Sequence, residues 1–130
     1  MAVTSAQRPR PKYLSLWAIV FEIRLPLTGW VSLLHRISGV MLVAASAWLL
    51  YVLDLSLVSE TGFHEARTLL AGPFAKSASI FLLWAFCHHF FAGIRFLLID
   101  LDIGVEQQAA RQSGVAVLGV TLLATVLLFR

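Results

Sequence analysis

The sequence predicts an all-α fold, a three-helix transmembrane bundle, on three observations. The chain of 130 residues is 59% hydrophobic and only 13% charged, with a mean hydropathy of +0.85. Soluble domains carry about 25% charged residues, so a water-soluble fold of this size cannot hide so much apolar surface, and lipid must solvate much of it. Three apolar runs approach the length of a bilayer crossing and are separated by polar or Gly-Pro-punctuated segments. The same runs exclude a barrel, because strands in lipid need alternation and closure that three long runs do not supply.

Residues 1–28 form a basic arm and an interfacial segment. The first twelve are polar and include Pro9 and Pro11, which suits an extended arm. Residues 13–21 are too few to span, and Tyr13 and Trp17 suit the headgroup level. Pro26 blocks a continuous helix through this stretch. The net charge of +3 is unevenly placed: Arg8, Arg10, Lys12, Arg24 and Arg36 precede the first long apolar run and only Glu22 opposes them. A nucleic-acid tail would show such clustering too, but beside apolar runs it marks the cytoplasmic flank of a membrane helix. A cleaved secretory signal is excluded, since Glu22-Ile23-Arg24 follows the short apolar stretch with no small-x-small site. A mitochondrial transit peptide stays open.

Residues 29–130 form the transmembrane domain, with spans at about 29–52, 74–98 and 114–129. Asp54 is expected to end the first span, and 56–72 to be a connector closed by Gly72-Pro73. The third span is short for a bilayer and can start earlier, with Arg111 snorkelling. With the N-terminus inside, the start of span one and the end of span two share the inner side. His35 and Arg36 then lie near the level of Arg95, with His89 about 9 Å deeper.

Ionisable groups within a span are costly and mark function. Ser32, His35, Arg36 and Gly39 recur at helical spacing and share a face. Arg36 offers a fork suited to a carboxylate, Ser32 a hydroxyl for a ligand oxygen, and Gly39 a bare backbone. The alternative is a snorkelling arginine among capping groups. His89 lies in mid-span with Ala85, Ala92 and Gly93 around it, which is expected to leave a flat space beside the imidazole. Haem ligation, a proton relay or tight helix packing all fit that pattern. His88 diverges by about 100° and cannot reach the same iron. His35 is expected well above His89, nearer a propionate, so a second axial ligand must come from another chain. The single cysteine, Cys87, is outside any C-x-x-C-H, which excludes covalent c-type attachment. The chain shows no Gly-rich phosphate loop or metalloprotease motif.

Arg8-Pro9, Arg24-Leu25-Pro26, the block from Ser32-Leu33-Leu34-His35-Arg36 to Ile37-Ser38-Gly39, and His89 four residues before Gly93-Ile94-Arg95 together resemble the larger cytochrome b anchor of succinate:quinone oxidoreductase, the succinate dehydrogenase family. The resemblance covers nearly the whole chain. It implies a bundle that completes a larger anchor with a partner subunit. It implies that His89 is an axial ligand of haem b, with a histidine of the smaller anchor subunit as the other. It implies that Ser32 and Arg36 line the ubiquinone site near the iron–sulfur subunit, that His35 and Arg36 lie near the haem propionates, and that Asp100 lies near the quinone end. FAD and iron–sulfur clusters then belong to the flavoprotein and iron–sulfur subunits. Phe96 replaces a histidine common after the G-I-R block, which removes any propionate contact there. The absent mitochondrial S-P-H block favours a bacterial inner membrane over a mitochondrial one. A haem-free anchor, a fumarate reductase anchor and a small proton-conducting subunit are the rival readings.

Overall fold

The computed structural model describes Trp17 and residues 25–129. The basic arm, Tyr13 and Arg24 lie outside the described residues. Four helices follow in order: α1 (Leu27–Val58), α2 (Glu60–Ala71), α3 (Pro73–Asp100) and α4 (Gln107–Leu128). There is no strand among the described residues. α1, α3 and α4 are each long and apolar enough to cross a bilayer.

α1 begins directly after Pro26, whose backbone is extended (φ −63°, ψ 159°) and whose carbonyl accepts from the Gly29 and Trp30 amides. The helix does not stop at Asp54 but continues to Val58. Asp54 is exposed, so its carboxylate is solvated without disturbing the backbone ladder, and a lone acid on an outer rim does not terminate a helix. The break comes at Ser59, which is extended (φ −162°, ψ 166°) and whose hydroxyl accepts the Gly62 amide to cap α2.

The segment expected as a connector is therefore mostly helix. Its signals are the Ser59 cap, Glu60 in the first turn, and Phe63, Ala66 and Leu70 at helical spacing. α2 folds back on the last turns of α1: Gly62 and Ala66 are buried, and a Cβ on Gly62 would collide with the Leu55 carbonyl. Gly72 then separates α2 from α3, and Pro73 opens α3 at the one place where a missing N–H costs nothing. Asp102 (φ 59°) and Gly104 (φ 76°) turn the chain between α3 and α4. α4 starts well before the apolar run at 114, because Gln107, Gln108 and Arg111 are good helix formers that continue it into polar surroundings.

The side-chain pairings set the topology. Gly39 faces His89 and Gly93 faces His35, so α1 and α3 run antiparallel. Arg95 reaches Ser113 and Ala110, so α3 and α4 are antiparallel too. Gly114 packs on Leu27, Thr28 and Val31, which sets α4 parallel to α1 at the same end. The start of span one and the end of span two thus share one end of the bundle. The core is thin: Val31, Ala92 and Val117, flanked by Phe91, Phe96 and Leu118.

Candidate functional site

Two of the polar residues singled out in the sequence, His35 and His89, meet where α1 crosses α3. His35 and His89 stack face to face, with ring centroids 4.1 Å apart and planes 7° apart. His35 is therefore level with His89 rather than well above it. α1 starts at Leu27, so His35 lies about 12 Å along the helix, and the antiparallel register carries that turn down to the His89 level. Phe96 tilts against the other side of His35, at 5.2 Å. The position where an imidazole was expected from the resemblance supplies an apolar wall.

His89 is held by α1. Its Nδ1 lies 3.0 Å from the His35 backbone carbonyl and 3.3 Å from Ser38 Oγ, and Ser38 Oγ itself donates to that carbonyl at 2.8 Å. A carbonyl can only accept, so in this contact Nδ1 is the donor. That is the arrangement by which a backbone group orients a metal-binding imidazole. Ser38 was not singled out in the sequence. It is buried like Val31 and lies one turn from the half-buried His35 on the face turned to α3, and its one available signal was that spacing.

The clearing beside His89 comes from α1 and not from the alanines of its own helix. Ala85 and Ala92 are fully buried on the side turned to the core, Ala92 against Val31 and Val117. Gly39 does the work: a Cβ there would stand 2.9 Å from His89 Cε1 and 3.3 Å from Nδ1. What approaches the bare Gly39 backbone is the His89 ring itself.

His35, Arg36, Gly39, Val40 and His89 line an open groove of about 600 Å³ that Val43 and Ala44 extend towards the membrane interior. Its floor is apolar, and the two imidazoles and one guanidinium lie towards the α1 start. Val40 and Val43 are more than 70% exposed, so this face of α1 is uncovered by α2, α3 and α4. Ser32 lies one turn before Arg36 and is half-buried; Arg36 is exposed. The predicted single face is thus divided, with His35 turned towards α3 and Arg36 outwards. Asp100, the last residue of α3, is exposed. Among the described residues, no three His, Cys, Asp or Glu side chains converge as a metal cluster. The donor set suits a metal that needs one imidazole from this chain and another from elsewhere.

Arg95 is buried and joins α3 to α4, donating to Ser113 Oγ at 3.0 Å and to the Ala110 carbonyl at 3.3 Å. His88 is buried within the bundle, away from the groove, and stacks on Trp84 at 5.4 Å. Cys87 is a buried free thiol.

Comparison with known proteins supplies an independent line. Residues 6–128 match the family described as succinate dehydrogenase/fumarate reductase transmembrane subunit. The chain is 34% identical to the succinate dehydrogenase cytochrome b556 subunit of Coxiella burnetii, over 82% of this chain and 86% of that protein. It is 27% identical to the cytochrome b556 subunit of Paracoccus denitrificans, over 96% and 92%. It is 32% identical to the mitochondrial succinate dehydrogenase cytochrome b560 subunit of Bos taurus, over 95% of this chain and 70% of that one.

Proposed function

The chain belongs to the succinate dehydrogenase/fumarate reductase transmembrane subunit family, and on that premise we propose that it is the larger anchor of a succinate dehydrogenase, holding haem b together with a smaller anchor subunit and forming part of the ubiquinone-reduction site. The observation that carries this reading is the 3.0 Å contact between His89 Nδ1 and the His35 backbone carbonyl. With Nδ1 facing that carbonyl, Nε2 is free of the contact, and the ring borders a groove that none of α1–α4 closes among the described residues. The relatives named as cytochrome b subunits support the same cofactor.

The residues present fit the group. His89 would hold the iron through its imidazole. His35 and Arg36, at the α1 end of the groove, are placed for the anionic propionates, with Arg36 able to engage a carboxylate through two N–H donors. Val40 and Val43 offer apolar surface to a macrocycle. Haem b, when bound, supplies a one-electron redox centre beside the quinone site.

At that site the chain contributes position and charge. Ser32 donates a hydrogen bond to one quinone oxygen. Arg36, one turn on, stabilises the negative charge that grows there as electrons arrive from the iron–sulfur subunit, a preorganised electrostatic role. Asp100, at the end of α3, passes protons towards the reduced oxygen. Succinate oxidation itself, with FAD and the iron–sulfur clusters, belongs to the flavoprotein and iron–sulfur subunits. We place the complex in a bacterial inner membrane with the N-terminus cytoplasmic, following the basic residues before α1.

The test is a visible redox spectrum of the purified complex carrying His89→Ala. The haem b absorbance is expected to vanish or shift strongly. An unchanged haem spectrum overturns the ligand assignment, and a wild-type complex with no haem absorbance overturns the cofactor reading in favour of a haem-free anchor.

A further inference from the structure

The site above uses one face of α3, and the opposite face holds polar groups that no function yet explains. His88 is 0% exposed, and neither of its ring nitrogens makes a hydrogen bond of good geometry; the nearest backbone group facing the imidazole is that of Val31 on α1. Thr121, on α4, is 1% exposed, and its hydroxyl is also unpartnered. Thr125, one turn later, shows the usual outcome for such a residue, donating to the Thr121 carbonyl at 2.8 Å. Thr121 makes no such bond, so its hydroxyl is not spent on its own helix.

The register of α3 against α4 brings these orphans to one level. Arg95 pairs with Ser113, and one turn along, Ala92 and Val117 share the core cluster. The same antiparallel register continued by another turn sets His88 opposite Thr121. Buried polar groups are almost always satisfied, and where protein partners are lacking, a trapped water supplies the bonds. The layer is polar enough to hold one: an imidazole offers a donor and an acceptor, a hydroxyl offers both, and a water can bridge them. Trp84, stacked on the imidazole, closes one side of His88.

We propose that a water molecule is bound inside the bundle between α3 and α4, hydrogen-bonded to the His88 imidazole and the Thr121 hydroxyl. The site is separate from the groove at His89 and does not depend on the haem reading. Its role is to tie the two helices at mid-depth, below the Arg95 clamp.

The decisive measurement is a density map of the wild-type complex at a resolution that shows ordered solvent. A peak within hydrogen-bond distance of both His88 and Thr121 supports the site. A dry layer, or a direct bond between imidazole and hydroxyl, overturns it. A double-mutant cycle of thermal midpoints gives a second reading. His88→Phe and Thr121→Val are each expected to lower the midpoint by several degrees, because each strands the remaining polar group. The double variant, which removes both, is expected to lose clearly less than the sum. Strict additivity also overturns the proposal. If a variant fails to assemble, the wild-type map alone decides.

Discussion

Adding one methyl group to α1 should dislodge the His89 ring. In Gly39→Ala the new Cβ falls 2.9 Å from His89 Cε1 and 3.3 Å from Nδ1. Ordinary carbon contacts begin near 3.4 Å, so the ring must retreat by about 0.5 Å. A free imidazole would swing away cheaply. This one is pinned by the 3.0 Å bond from Nδ1 to the His35 carbonyl and by the His35 ring stacked on its face. A retreat of that size stretches the bond to about 3.5 Å, the edge of useful geometry. Overpacking costs about 1–3 kcal/mol, and losing the group that orients a metal-binding imidazole costs about 10–100-fold in metal affinity. The assay is haem content per assembled complex, read from the reduced-minus-oxidised visible spectrum against flavin content. Gly93→Ala is the control, because its Cβ meets His35 Nε2 at an ordinary 3.6 Å. The expected result is a marked haem deficit in Gly39→Ala and near-normal haem in Gly93→Ala. Full haem with an unshifted spectrum in Gly39→Ala would refute the reasoning, since the ring would then not be held where the ligand role requires.

Two further perturbations separate the parts of the chain. Arg36→Ala should lower quinone reduction about tenfold or more while leaving succinate oxidation by artificial dyes intact; equal loss of both activities would point to failed assembly. Ser59→Ala removes the hydroxyl that caps α2. It should weaken that helix by about 1 kcal/mol, seen as faster amide exchange within 60–71 and no change in the haem spectrum.

Much of this architecture was legible in the residues. The three spans follow from apolar length, since only a helix satisfies its own backbone in lipid. The shared end of span one and span two follows from chain direction alone. The connector after span one begins a few residues later than expected and holds a short helix that the sequence reading did not assign, although Ser59 and Glu60 carried a helix-start signal. The site was harder. That His89 mattered could be argued from an imidazole in mid-span, but its neighbours could not, because the distance between α1 and α3 and their register are tertiary facts. Helical spacing put Ala85 and Ala92 near His89; only packing shows them turned to the core and Gly39 opposite the ring. Ser38, a plain serine beside a glycine, gained its importance from register as well.

α2 has a consequence for the membrane itself. α1 has 32 residues and is about 48 Å long, against a hydrocarbon layer of about 30 Å. Its surplus lies at the end where α2 doubles back, carrying Glu60, His64, Glu65 and Arg67 together with Phe63, Leu69 and Leu70. A rod that is oily on one side and wetted on the other rests at the water–lipid boundary. Joined to α1 by a single residue, it acts as a float that stops the whole bundle from sinking or rising. Because α3 packs antiparallel on α1 with Gly39 against His89, a helix resting at that boundary also fixes the depth at which the His35–His89 pair sits.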